Sequence, residues 1–128
     1  MAQSHSPSSN SIGLDAYQEM AVATAIYPNN ARVILNNGDT VAIYPFLGLC
    51  EEAGECAGKV KKVLRDSDGL VTEERRLELM HELGDTLWYL ANCANELGYP
   101  LSYIARMNIQ KLHDRKQRNT LQGDGDNR

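Results

Sequence analysis

An all-α domain, a four-helix bundle with a small hairpin or loop insertion between its first and second helices, is the fold class this sequence predicts. Three observations lead there. Apolar residues recur at helical spacing in four separate stretches, turn-forming residues divide those stretches by short links, and β-branched arms flank one Asn-Gly turn.

Residues 1–12 are rich in Ser, Asn and Pro. They offer no apolar face to bury and read as a disordered leader, with residues 13–128 forming one domain. From Leu14 the pattern becomes helical through Tyr17, Ala21 and Ala25, until Tyr27-Pro28-Asn29-Asn30 breaks it. The stretch Arg32–Tyr44, with Asn36-Asn37-Gly38-Asp39 at its centre, reads as a hairpin or as an irregular loop. After Pro45 a second helix is expected from Phe46 to about Arg65, with Leu49, Ala53, Ala57, Val60 and Leu64 as its core stripe. Asp66-Ser67-Asp68-Gly69 should end it. Thr72, followed by Glu73 and Glu74, is an N-cap pattern opening a third helix, whose stripe is Leu79, Leu83, Leu87, Leu90, Ala94 and Leu97. Gly98 closes that helix. Pro100 opens a fourth, through Ile104, Ala105, Ile109 and Leu112, which turns basic at Arg115, Lys116 and Arg118 before a Gly-Asp tail.

Size and charge narrow the function classes. The chain has 128 residues, 42% hydrophobic and 23% charged, an ordinary globular composition that suits a single modest core. Seventeen acidic residues against 13 Lys and Arg give a net charge of −4. No general attraction to nucleic acid or to an anionic membrane follows from that balance. Cys50, Cys56 and Cys93 form no C-x-x-C pair, their odd number argues against a disulfide framework, and they read as small core residues. With no apolar leader and no apolar run near ~20 residues, the expected compartment is the cytosol.

The two central helices carry the chemistry. Glu52 and Glu55 lie one turn apart on the second helix, and Glu82 and Asp85 lie likewise on the third. On the third helix the row extends through Glu78, Glu82, Asp85, Tyr89, Asn92 and Glu96, nearly opposite the leucine stripe. An acidic row is ordinarily a solvated face, but solvated faces place Lys or Arg at i+4 from an acid. Lys59 stands at that spacing from Glu55, whereas Glu82 and Asp85 meet Thr86 and Tyr89. An external cation would relieve the row, and an all-oxygen donor set suits Mg²⁺ or Mn²⁺ better than zinc.

Glu51-Glu52-Ala53-Gly54-Glu55 and Glu82-Leu83-Gly84-Asp85 together resemble the E-x-x-E and E-x-x-D signature of the MazG-like all-α nucleoside triphosphate pyrophosphohydrolases, at a separation which that family tolerates. The flanking Tyr44-Pro45-Phe46-Leu47-Gly48-Leu49, Lys59-Val60-Lys61-Lys62, Trp88-Tyr89-Leu90-Ala91 and the trio Asn108, Lys111, Arg115 strengthen the likeness, which covers roughly Tyr17 to the C-terminus. The resemblance implies Mg²⁺-dependent hydrolysis of a nucleoside triphosphate to monophosphate and pyrophosphate, with Mn²⁺ as a substitute ion. It implies Glu52, Glu55, Glu82 and Asp85 as metal ligands, and Glu52 and Glu55 as the catalytic carboxylates, Glu52 being the favoured base. Glu51 supports these ligands or stays solvated. The resemblance also implies a homodimer or homotetramer.

The remaining site residues carry two readings each. Lys59 and Lys62 share the acidic face and reach the distal phosphates, or Lys59 pairs with Glu55. Asn108, Lys111 and Arg115 fall on one face of the last helix and contact phosphate and sugar, or form a basic last turn favoured by the helix dipole. Trp88 and Tyr89 stack on a base, or pack. Two other functions compete: a carboxylate-bridged di-iron bundle, for which only Glu78 and His81 supply a Glu-x-x-His pair, and a non-catalytic helical partner bundle.

Overall fold

The computed structural model describes residues 10–126, and its element order is α1 (Leu14–Ala23), β1 (Arg32–Ile34), β2 (Thr40–Ala42), α2 (Tyr44–Asp66), α3 (Glu73–Glu96) and α4 (Leu101–Gln117). The expected leader lies outside the described residues over 1–9, and residues 10–13 are a turn and coil leading into α1. Four helices and one small hairpin confirm the mostly helical architecture. The first helix stops at Ala23 rather than near Tyr27: Thr24 caps it, donating from its hydroxyl to the Ala21 carbonyl at 2.8 Å, and leaves residues 25–29 irregular.

The hairpin reading holds. β1 and β2 are antiparallel, with Arg32 opposite Ala42 and Ile34 opposite Thr40. Its turn is closed by Leu35 N–H donating to Asp39 O at 2.7 Å and by an Asx turn in which Asp39 N–H donates to Asn37 Oδ1. Gly38 supplies the positive φ, +90°, that this turn needs. Glu96 at the end of α3 fastens the hairpin to the helices: its carboxylate accepts from the Ala42 N–H at 2.8 Å and from the Tyr27 hydroxyl at 2.9 Å. Glu96 is therefore a clamp, not the last rung of a solvated acidic row.

The expected punctuation of the helices is in place. Thr72 Oγ1 accepts from Arg75 N–H at 3.1 Å and caps α3. Gly98, at φ +76°, ends it, with Tyr99 N–H donating to Ala94 O. The following α4 receives its cap from α1, where the Asp15 carboxylate accepts from both the N–H and the hydroxyl of Ser102. Buried Gln18 ties the same corner, donating to the carbonyls of Ala91 and Tyr99 and accepting from Leu101 N–H. The small core lies here, in Ala21, Ala91, Ala94 and Leu101, flanked by Tyr17, Trp88 and Ile104.

The side of α2 and α3 that faces inward is a correction. The predicted α2 stripe has Ala53, Ala57, Val60 and Leu64 exposed and Leu49 half-buried. Leu83 on α3 is 61% exposed, and Leu87, Leu90 and Leu97 are exposed too, whereas Leu79 is half-buried and Ala94 lies in the core as expected. On α4, Ile109 and Leu112 are likewise exposed. The face of α2 that packs on α3 instead carries Pro45, Gly48, Glu52, Cys56, Lys59 and Val63, all buried or half-buried. Periodicity located the stripes correctly but could not tell a core from an apolar face left open on a single chain. The cysteines divide similarly: Cys93 is buried and Cys56 half-buried, while Cys50 is exposed; all three are free.

Candidate active site

A short link, residues 67–72, turns the chain back so that α3 runs antiparallel to α2. Each step of four residues up α2 is matched by four residues down α3. Gly48 meets Tyr89, Glu52 meets Asp85, and Lys59 meets Glu78 and Glu82. This register turns two acid motifs far apart in sequence into one centre. Glu52, Glu82 and Asp85 each offer a carboxylate oxygen within 4.8 Å of the other two. Burial raises the Glu52 carboxyl above its usual pKa, and the nearby Asp85 and Glu82 carboxylates raise it further.

Glu55 is exposed and stands outside the three-carboxylate group. Nor does Lys59 pair along its own helix with Glu55. Its Nζ crosses to Glu82 Oε1 at 3.2 Å and to Glu78 at 3.9 Å, and Arg75 also bonds Glu78. The acidic row of α3 is thus partly compensated from across the interface and from one turn upstream. Spacing along one helix could not show Lys59, which comes from α2, but it does hold Arg75, which stands at i,i+3 from Glu78 on α3 itself. Lys62 is exposed near Asp66, whose carboxyl is held below its ordinary pKa mainly by Arg65.

Trp88 and Tyr89 lie in an aromatic cluster beside these acids. Trp88 donates from Nε1 to Thr24 Oγ1 at 2.8 Å and meets the rings of Tyr27 and Tyr89 edge-on; Tyr27 in turn stacks on Tyr44 at 5.8 Å. Asn108 and Lys111 line a groove on α4 with Tyr99, Tyr103, Ile104 and Met107. Arg115 is buried, 4% exposed, and donates from Nη2 to the Asp126 carbonyl at 2.7 Å, so the tail folds back over it. Lys111 lies 3.6 Å from the Asp126 carboxylate and, with Arg115, holds it below its usual pKa. Gly48 and Tyr44 belong to the stretch that precedes the acids in sequence, where neither was given a role of its own. A glycine inside a helix, one turn before Glu52, was the available signal for the first.

Residues 46–119 match the MazG nucleotide pyrophosphohydrolase domain. The chain belongs to that family. It is also 48% identical over 119 residues, 90% of this chain and 98% of the relative, to the "Gene 37 protein" of Mycobacterium phage L5. No solved structure matches it. Membership in the MazG family supports nucleotide pyrophosphohydrolase chemistry in general, in a family generally dependent on divalent metal, and an all-oxygen carboxylate group is present. Three oxygens at these separations can close on a hard divalent ion, and no thiol or imidazole competes within the group. Among the described residues no helix is long and apolar enough to cross a membrane.

Proposed function

We propose that this protein hydrolyses a nucleoside triphosphate to the monophosphate and pyrophosphate with Mg²⁺, Mn²⁺ serving as a substitute. The observation that carries the reading is the convergence of Glu52, Glu82 and Asp85 from two helices onto one point inside a MazG domain. These three carboxylates would hold the metal, with Glu55, one turn along from Glu52, as the fourth. A divalent ion held there would neutralise triphosphate charge and make a water more acidic. Water attacks phosphorus at the α–β bridge, its proton passes to a Glu52 oxygen, and the P–O bond breaks to release pyrophosphate. Glu52 suits this role because it is half-buried on α2 with its carboxylate beside those of Glu82 and Asp85, where the water would be held.

Lys59 and Lys62 would meet the distal phosphates, and Asn108 and Lys111 the phosphates and sugar. Arg115 would contribute after exchanging Asp126 for a phosphate oxygen. Trp88 and Tyr89 would border the base. We further read the exposed apolar stripes of α2 and α3 as an interface between copies of this chain, giving a homodimer or homotetramer. The deciding experiment is pyrophosphate release from a panel of ribo- and deoxyribonucleoside triphosphates, with and without Mg²⁺. Release that requires Mg²⁺ supports the proposal. Its absence for every nucleotide would favour the partner-bundle alternative, and iron dependence the di-iron one.

A further inference from the structure

Gly48 lies buried in α2 against Tyr89 of α3. A Cβ built on it would fall 2.6 Å from Tyr89 Cδ1 and nearer still to Cε1 and Cζ, well inside van der Waals contact. The Tyr89 ring therefore lies directly against the α2 backbone. It has little room to retreat: Trp88 packs edge-on against it at 5.0 Å, and Trp88 is itself tied to Thr24 of α1. Gly48 is one turn from Glu52 on α2, and Tyr89 is one turn from Asp85 on α3. The contact thus sits one helical turn from the point where the two carboxylates meet.

Helix breadth makes this glycine consequential. Gly54, Gly58 and Gly84, on the same two helices, have nothing within 4 Å of a built Cβ, so their hydrogens relieve no crowding. Gly48 alone among the helical glycines is filled by another residue's ring. Any side chain there must displace either the ring or α3, and the ring already has Trp88 edge-on beside it.

We propose that the Gly48–Tyr89 contact is the spacer that fixes how closely Glu52 and Asp85 approach, and so tunes the affinity of the carboxylate group for a divalent ion. Gly48 and Tyr89 are positioning residues in this role, acting through the helix pair and not by touching the ion. The inference rests on the metal reading above. A ring of tyrosine size with no Cβ opposite sets one separation; adding a methyl at residue 48 widens it, and shortening residue 89 as well restores it. Loss of an outer-shell hydrogen bond to a metal ligand lowers affinity by about 10- to 100-fold, and moving a ligand off its position is expected to act on that scale.

The test is Mn²⁺ and Mg²⁺ binding by calorimetry on the full chain, with circular dichroism as a check on the fold. Gly48→Ala should weaken binding by about tenfold or more, and Gly48→Ala/Tyr89→Leu should recover most of it. Gly58→Ala, in open space on the same helix, should bind as the unaltered chain does. Should Gly48→Ala fail to fold, the double variant still decides. Unaltered affinity in folded Gly48→Ala, or a folded double variant that binds as poorly as Gly48→Ala or at least tenfold below the unaltered chain, would overturn the spacer. Failure of the unaltered chain to bind either ion would instead overturn the metal reading on which it rests.

Discussion

Lys59 Nζ lies 3.2 Å from Glu82 Oε1, across the α2–α3 interface, where both side chains are largely withdrawn from water. The ammonium reaches a carboxylate assigned to the metal, so in the metal-free chain it supplies part of the positive charge that an ion would bring. Two consequences oppose each other. Lys59 stabilises the metal-free fold, and it competes with the incoming cation for Glu82.

Replacing Lys59 with Gln should therefore lower the melting temperature of the metal-free protein by about 3–5 °C while tightening Mg²⁺ binding by about fivefold. That corresponds to ~1 kcal/mol, the upper end for a partly exposed ion pair. Thermal melts in chelator and Mg²⁺ titration of the same sample measure both halves. Weaker Mg²⁺ binding in Lys59→Gln would mean that the lysine organises the acids and does not compete for them.

Asp85→Asn addresses the centre from the other helix. The substitution removes one of three converging carboxylates and the charge that helps to raise the Glu52 carboxyl. Hydrolysis should be abolished. The metal-free fold should be unchanged or more stable by a few tenths of a kcal/mol, the usual scale of like-charge relief on helices. Near-normal turnover in Asp85→Asn would reject Asp85 as a ligand.

The sequence carried the helices well because their boundaries depend on local chemistry: Thr72, Gly98 and Pro100 act within one turn of themselves. The two acid motifs were equally legible, since i, i+3 spacing places a pair on one face whatever surrounds it. What a helical period leaves open is where each face points. Leu83 and Glu82 are neighbours in the chain, and period alone made the leucine the core residue; in the fold Leu83 is open and Glu82 is covered. Cross-helix partners such as Lys59 with Glu82, Glu96 with Ala42 and Gly48 with Tyr89 depend on register between elements, which no single-helix pattern encodes.

The hairpin clamp has a pH signature. Burial and the hydrogen bond to Glu96 push the Tyr27 hydroxyl up to about 12 from an ordinary value near 10. A folded-state pKa above the unfolded one means that this contribution to stability is fully present below pH 10 and is lost as pH rises through about 12. Urea denaturation at pH 9 and at pH 11.5 should show a greater loss for the unaltered chain than for Tyr27→Phe, which has no phenol to ionise. Equal losses would show that Tyr27 does not titrate against the fold in this range.

The exposed stripes lead to the prediction about assembly. Leu83 is 61% exposed, and Leu77, Met80, Leu87 and Leu90 are also open along α3, with Leu47, Val60 and Leu64 on α2. Fully burying one such side chain contributes ~1.5–3 kcal/mol. Partial burial of several against a second chain can exceed the ~8 kcal/mol of a micromolar complex, even after the entropy of association is set against it. Light scattering at micromolar concentration should accordingly report a dimer or larger, and Leu83→Lys/Leu87→Lys should shift the population towards monomer. The acid centre turns towards α2 and away from this stripe, so the double variant should keep its helicity by circular dichroism and its calorimetric affinity for Mn²⁺. A 14.2 kDa monomer that hydrolyses nucleotide at full rate would remove the interface reading. If the lysine variant lost Mn²⁺ affinity along with assembly, the carboxylate centre would need the second copy to hold its shape.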